Sequence, residues 1–131
     1  MKDKTITITN HMFHFRIRIL ITNDIRETCK KLYKKEPRFT PAEKGEEERE
    51  VDAKFISSSA VPGDYYIVVS WKGLGISLLA HEFVHAVIRI MLDRGLAFSE
   101  DNQEVLAYMV EWLLFRAMQK IVPLGKGKMK T

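Results

Sequence analysis

Two runs near the start of the chain alternate apolar and polar residues with period two. Residues 5–9 interleave threonine with isoleucine, and Phe13, Phe15, Ile17, Ile19 and Ile21 alternate with His14, Arg16, Arg18 and Leu20. Both predict strands, with a turn at Asn10-His11-Met12 between them. From Asp24 the period lengthens. Asp24 with Glu27 three residues on resembles a capping box, and Ile25, Cys29, Leu32 and Tyr33 fall on one helical stripe, so a short amphipathic helix should run to Pro37. Residues 36–50 are largely polar, hold Pro41 and Gly45, and read as an exposed loop in which Thr40-Pro41-Ala42-Glu43 can open one helical turn. Residues 51–59 and 65–71 are rich in β-branched and aromatic side chains, and the turn Val61-Pro62-Gly63-Asp64 makes them an antiparallel hairpin. A long helix is expected from about Ile76 to Asp93, closed by Gly95. A second should run from Ser99, its cap, with Glu100 and Asp101 in the first turn, to about Ile121 before Pro123. Strands, helix, hairpin, helix, helix predict an α+β fold, with helices packed on one face of a small, mostly antiparallel sheet.

Composition narrows the class. At 131 residues, 46% hydrophobic and 29% charged, the chain is expected to form one domain over residues 1–131, ending in a basic tail, 124–131. Its apolar stretches are interrupted by His81, Glu82, His85 and Arg89 or by Glu111 and Arg116, so no stretch is long enough for a membrane helix. The start, Met1-Lys2-Asp3-Lys4, lacks the apolar core of a signal peptide. One cysteine, Cys29, excludes a disulfide framework. Together these give a cytoplasmic expectation. The net charge of +4 averages an acidic stretch, residues 43–52 at −4, with a remainder at +8. The bases gather at Lys30, Lys31, Lys34, Lys35 and Arg38 and in the tail. No basic helix is interleaved with exposed aromatics, so they read as solvation rather than as a nucleic-acid face.

Chemistry enters with His81-Glu82-Phe83-Val84-His85, an HExxH motif inside the first long helix. Histidines at i and i+4 project from one helical face about one turn apart, near enough to hold one zinc ion, while the intervening glutamate reaches toward the water to be activated. Imidazole suits zinc, and a carboxylate beside the metal can take the proton that water must lose. A shuffled chain of this composition would contain the pattern about 1% of the time. The remainder of the helix is apolar nearly all round and is expected to be buried, so its polar groups need partners. A catalytic zinc needs a third protein ligand. Glu104, near the start of the next helix, is the first candidate, against Glu100, Asp101 and Glu111; it shares a face with Tyr108, Glu111 and Phe115, while Val105, Met109, Trp112 and Leu113 lie toward the core. His11 and His14 read as surface histidines, Cys29 as core, and Trp112 and Phe115 as packing. Gly73 and Gly75 lack the spacing of a phosphate loop.

The HExxH segment followed by Asp101-Asn102-Gln103-Glu104-Val105-Leu106-Ala107-Tyr108 resembles the gluzincin zinc metallopeptidases, whose active-site helix is followed by a glutamate ligand on the next helix. It is also similar to the small phage- and prophage-encoded zincins and, more distantly, to the ImmA/IrrE-type peptidases. The resemblance covers residues 76–114. It implies a minimal zincin-like domain, Zn²⁺ held by His81, His85 and Glu104, and Glu82 as general base of an endopeptidase acting on a peptide or protein. It further implies extended substrate added to a strand beside the active-site helix, which by position is the strand from Tyr65 to Ser70. Two departures stand out. An aspartate one turn after the glutamate orients a zinc histidine in the thermolysin-like members, whereas that position here is Tyr108; and no further histidine follows to stabilise an oxyanion, leaving Tyr108 as the candidate for that role or as packing. The alternative reading is a catalytically inactive zincin-like module that binds metal or another protein.

Overall fold

The computed structural model describes residues 2–41, 51–97 and 99–125. Four strands, β1 (Lys4–Asn10), β2 (Phe15–Thr22), β3 (Ala53–Ile56) and β4 (Asp64–Ser70), form one sheet in the order β1-β2-β4-β3. Three helices accompany it: α1 (Ile25–Lys35), α2 (Ile76–Asp93) and α3 (Gln103–Gly125). β1 with β2 and β3 with β4 are antiparallel hairpins, whereas β2 and β4 run parallel, joined by a crossover that includes α1. The α+β expectation holds. None of the described helices is long and apolar enough to cross a membrane.

Alternation decides what each face of the sheet meets. Ile6, Ile8, Phe15, Ile17, Ile19, Ile21, Tyr65, Ile67 and Val69 pack into one core with α2 and α3. The other register, Tyr66 and Val68 with Leu20 and Ile56, packs against Cys29, Leu32 and Tyr33 of α1. The sheet is therefore covered on both faces, not on one as the sequence suggested, and the continuous burial from Tyr65 to Val69 is the signature of a doubly covered strand. Phe39, expected in an exposed loop, is buried in the α1 layer and meets Tyr66 edge-on at 5.1 Å between centroids. It lies in a 3₁₀ turn, Pro37–Phe39. Residues 42–50, the acidic part of the expected loop, and 126–131, the tail, lie outside the described residues.

Local signals fix the helix ends. The Asp24 carboxylate accepts from the Glu27 N–H at 3.1 Å, half of the expected capping box, while the Asp24 N–H donates to the Thr22 hydroxyl instead. α2 has the predicted bounds, and Gly95 after it has φ +74°. Ser99 is extended but its side chain caps nothing; a 3₁₀ turn, Glu100–Asn102, precedes α3. Pro123 does not stop α3, which runs to Gly125. At the far edge, the Lys120 ammonium donates to the Thr7 carbonyl of β1 at 3.0 Å.

The C-terminal end of α2 is tied to the sheet. The Tyr65 hydroxyl donates to Asp93 at 2.5 Å and accepts from the Gly63 N–H at 3.1 Å, and Arg89 pairs with Asp93 at 3.2 Å. Burial first, then the bond to Asp93, raises the Tyr65 pKa, so the phenol stays protonated and keeps donating. The Arg94 guanidinium donates to the carbonyls of Phe13 and His14. Gly63 has φ +89°, and a Cβ there would lie 2.9 Å from the His14 carbonyl oxygen and 2.7 Å from an Arg94 nitrogen. Gly63→Ala is expected to lower stability by about 1–3 kcal/mol, from the left-handed backbone and the contact together. An unchanged urea midpoint would remove this position from the anchor.

Candidate metal centre

α2 carries its chemistry on two sides. Leu79, Phe83, Ala86, Val87, Ile90 and Met91 are buried against the sheet and α3. His81, Val84, His85 and Leu92 are exposed. Among the described residues the helix is thus open along its outer face, contrary to the expected all-round burial, because the sheet and α3 cover its other side. Both histidines lie on that open face, where a ligand can reach them.

The two imidazoles converge. Their Nε2 atoms are 3.2 Å apart, the ring centroids 4.8 Å apart, and the ring planes 76° from each other. Two nitrogens bound at 2.0–2.1 Å to one tetrahedral zinc ion would be roughly 3.3–3.4 Å apart, so the pair suits a shared ion. Without an ion the same spacing is a hydrogen bond at the long end of the range, one ring donating and the other accepting.

Glu82 is 7% exposed, between two exposed histidines in sequence. Burial raises its pKa above the ordinary carboxylate range, partly offset by the positive potential of His81 and His85. A raised carboxyl pKa is what a group that both accepts and returns a proton needs near neutral pH.

No protein-family model matches the chain, and no curated protein or solved structure matches it either.

The remaining candidates are placed apart. Glu104 is exposed in the first turn of α3, and Glu100, Asp101 and Glu111 are exposed as well. Among the described residues no group of three or more His, Cys, Asp or Glu side chains is assembled to hold a metal. The histidine pair is local to one helix, whereas any third carboxylate depends on how α2 and α3 cross. α2 continues eight residues past His85, about 12 Å, before the chain turns toward Glu104. Tyr108 is 66% exposed and makes no hydrogen bond or ring contact with the pair. Trp112 packs edge-on against Phe15 at 6.4 Å, but Phe115, read as packing, is 60% exposed. Exposure of that kind is not readable from helical spacing alone, because the spacing does not reveal which stripe the domain covers.

The strand expected to hold substrate also needs correction. β4, Asp64–Ser70, lies between β2 and β3, with both edges occupied. It has no free edge for an added strand. Among the described residues the outer strand on that side is β3, which packs against α2.

Proposed function

We propose that the chain is a single-domain zinc metallopeptidase that hydrolyses peptide bonds. The observation that carries the reading is the convergence of the His81 and His85 Nε2 atoms at 3.2 Å on the open face of α2, next to a buried glutamate. His81 and His85 hold the metal, and Glu104 is the third ligand by the family resemblance. The chemistry that zinc supplies in such a site is to acidify water to a pKa of about 7 and polarise the scissile carbonyl.

Glu82 accepts the proton of the attacking water and returns it to the leaving amine. Its partly dehydrated position keeps the carboxyl basic enough for the first transfer and acidic enough for the second. Substrate lies extended along the outer edge of β3, Ala53–Ile56, through main-chain hydrogen bonds. By the family resemblance Tyr108 is the candidate to meet the developing oxyanion, and Tyr108→Phe, expected to lower turnover if it does, measures that contribution.

The test is Glu82→Gln. The variant should fold and keep zinc, yet lose cleavage of a proteome-derived peptide library by about 100- to 10,000-fold. Stability gives a second readout. A carboxyl whose folded pKa is raised favours the folded state at low pH, and that advantage is lost as pH rises through the folded value. Removing the charge should therefore leave the neutral-pH melting temperature unchanged or higher. Cleavage at the wild-type rate would remove Glu82 as the base. A zinc-loaded wild type that cleaves no peptide in the library would favour a metal-binding module without hydrolysis.

A further inference from the structure

The side of the sheet away from α2 and α3 concentrates positive charge. α1 has six exposed residues, Arg26, Glu27, Lys30, Lys31, Lys34 and Lys35; all are charged and five are basic. The other 120 residues of the chain hold sixteen bases and sixteen acids, so the whole net charge of +4 equals that of this one helix. Lys30, Lys31, Lys34 and Lys35 enter no ion pair among the described residues, whereas Arg16, Arg18, Arg38 and Arg89 are each paired with a carboxylate. At about 100° per residue the six side chains fan over roughly half of the helix circumference. The other half, with Cys29, Leu32 and Tyr33, is buried against the sheet. Lys54 of β3, its ammonium 5.8 Å from the centroid of the Tyr33 ring, adds a further base beside the helix.

The composition of this arc selects its partner. Specific protein interfaces are depleted in lysine and centre on apolar or aromatic anchors, and α1 exposes none. A helix that binds a lipid surface inserts its apolar face, whereas that of α1 is committed to the core. Single-stranded nucleic acid is held by stacking bases on aromatic rings, and Tyr33, Phe39 and Tyr66, the aromatics of this layer, are buried. The lack of interleaved aromatics that made these bases look like solvation in the sequence therefore argues against base stacking, not against phosphate contact. Lysine ammoniums are point charges suited to a phosphate backbone. The outer half of a helix roughly 10–12 Å across fits the B-form major groove, about 12 Å wide, and not the narrow major groove of duplex RNA. We propose that the exposed face of α1 is a sequence-independent docking surface for duplex DNA. It lies across the sheet from His81 and His85, and the inference does not rest on the metal reading.

Fluorescence anisotropy of a labelled short DNA duplex of mixed sequence, titrated with the full chain over a series of salt concentrations, tests it. Four lysine–phosphate contacts predict a slope of log K against log salt at least as steep as about −3.6. Lys30→Gln combined with Lys34→Gln should make that slope shallower by about 2 and weaken low-salt binding by more than about 10-fold. Both side chains are exposed, so the circular-dichroism spectrum should be unchanged. Arg116→Gln, on α3 across the sheet, should leave affinity and slope as they are. A wild type that does not bind the duplex at low salt, or a double variant that binds like the wild type, overturns the surface. An equal loss from Arg116→Gln also overturns it, because the effect would then be one of overall charge. Polyglutamate, phosphatidylserine vesicles and duplex RNA serve as competitors, and any of them bound as tightly as duplex DNA overturns the assignment of the partner.

Discussion

Protein prepared without chelator is expected to carry close to one zinc ion per chain, and His81→Ala and His85→Ala are expected to carry almost none. The reason is geometric. Two imidazoles whose Nε2 atoms are already 3.2 Å apart on one helix need little reorganisation to share an ion, so each contributes to binding far more than a lone surface histidine would. Loss of one ligand should weaken zinc by more than the roughly 10- to 100-fold that follows loss of an outer partner. Metal analysis after dialysis reads the result directly. Both side chains are exposed, so neither alanine should unfold the chain, and circular dichroism separates lost metal from lost fold. A His81→Ala protein loaded like the wild type would end the assignment of the pair as ligands. Glu104→Ala and Glu111→Ala then rank the third donor: the resemblance assigns it to Glu104, and a larger loss from Glu111→Ala would move it.

The second large effect concerns stability. Phe83 is fully buried one residue from Glu82, and Phe83→Ala should cost about 3–5 kcal/mol, from lost transfer energy and the cavity left behind. That is a large share of the stability of a domain this size. Val84→Ala, one residue on but facing outward, should cost less than about 1 kcal/mol. Urea unfolding of the two variants therefore reports which way α2 faces. Comparable losses would mean that the outer face carrying the histidines is covered by something else.

What was legible in the sequence was local. The bounds of α2, the Asp24 cap, the two hairpins and the spacing of His81 and His85 all follow from residues within a turn or two of one another. What was not legible depended on pairing at a distance. That β4 lies inside the sheet follows from its parallel pairing with β2, across the whole α1–β3 segment, and nothing in the run Ile67-Val68-Val69 distinguishes an interior strand from an edge. Placing α1 on the opposite face required knowing that Tyr66 and Val68 meet Leu32 and Tyr33, a contact invisible to periodicity. Phe39 was masked by its polar neighbours in the sequence, yet a buried aromatic needs only one side chain to turn inward. Pro123 predicts a stop, but it falls in the last turn of α3, where few residues remain to be disrupted. A third metal donor would belong to this second group, since it would depend on the crossing of two helices rather than on any spacing within one.

The bond from Lys120 to the Thr7 carbonyl has a bearing on how the chain behaves in concentrated solution. β1 is a seven-residue terminal strand, long enough to template stacking of one molecule's sheet onto another's. An ammonium fixed to its outward carbonyl places a charge where an incoming strand would have to dock, and any stacking must first displace it. α3 thereby places on β1 the kind of edge charge that opposes stacking of one sheet on another, and β3, the other terminal strand among the described residues, is four residues long.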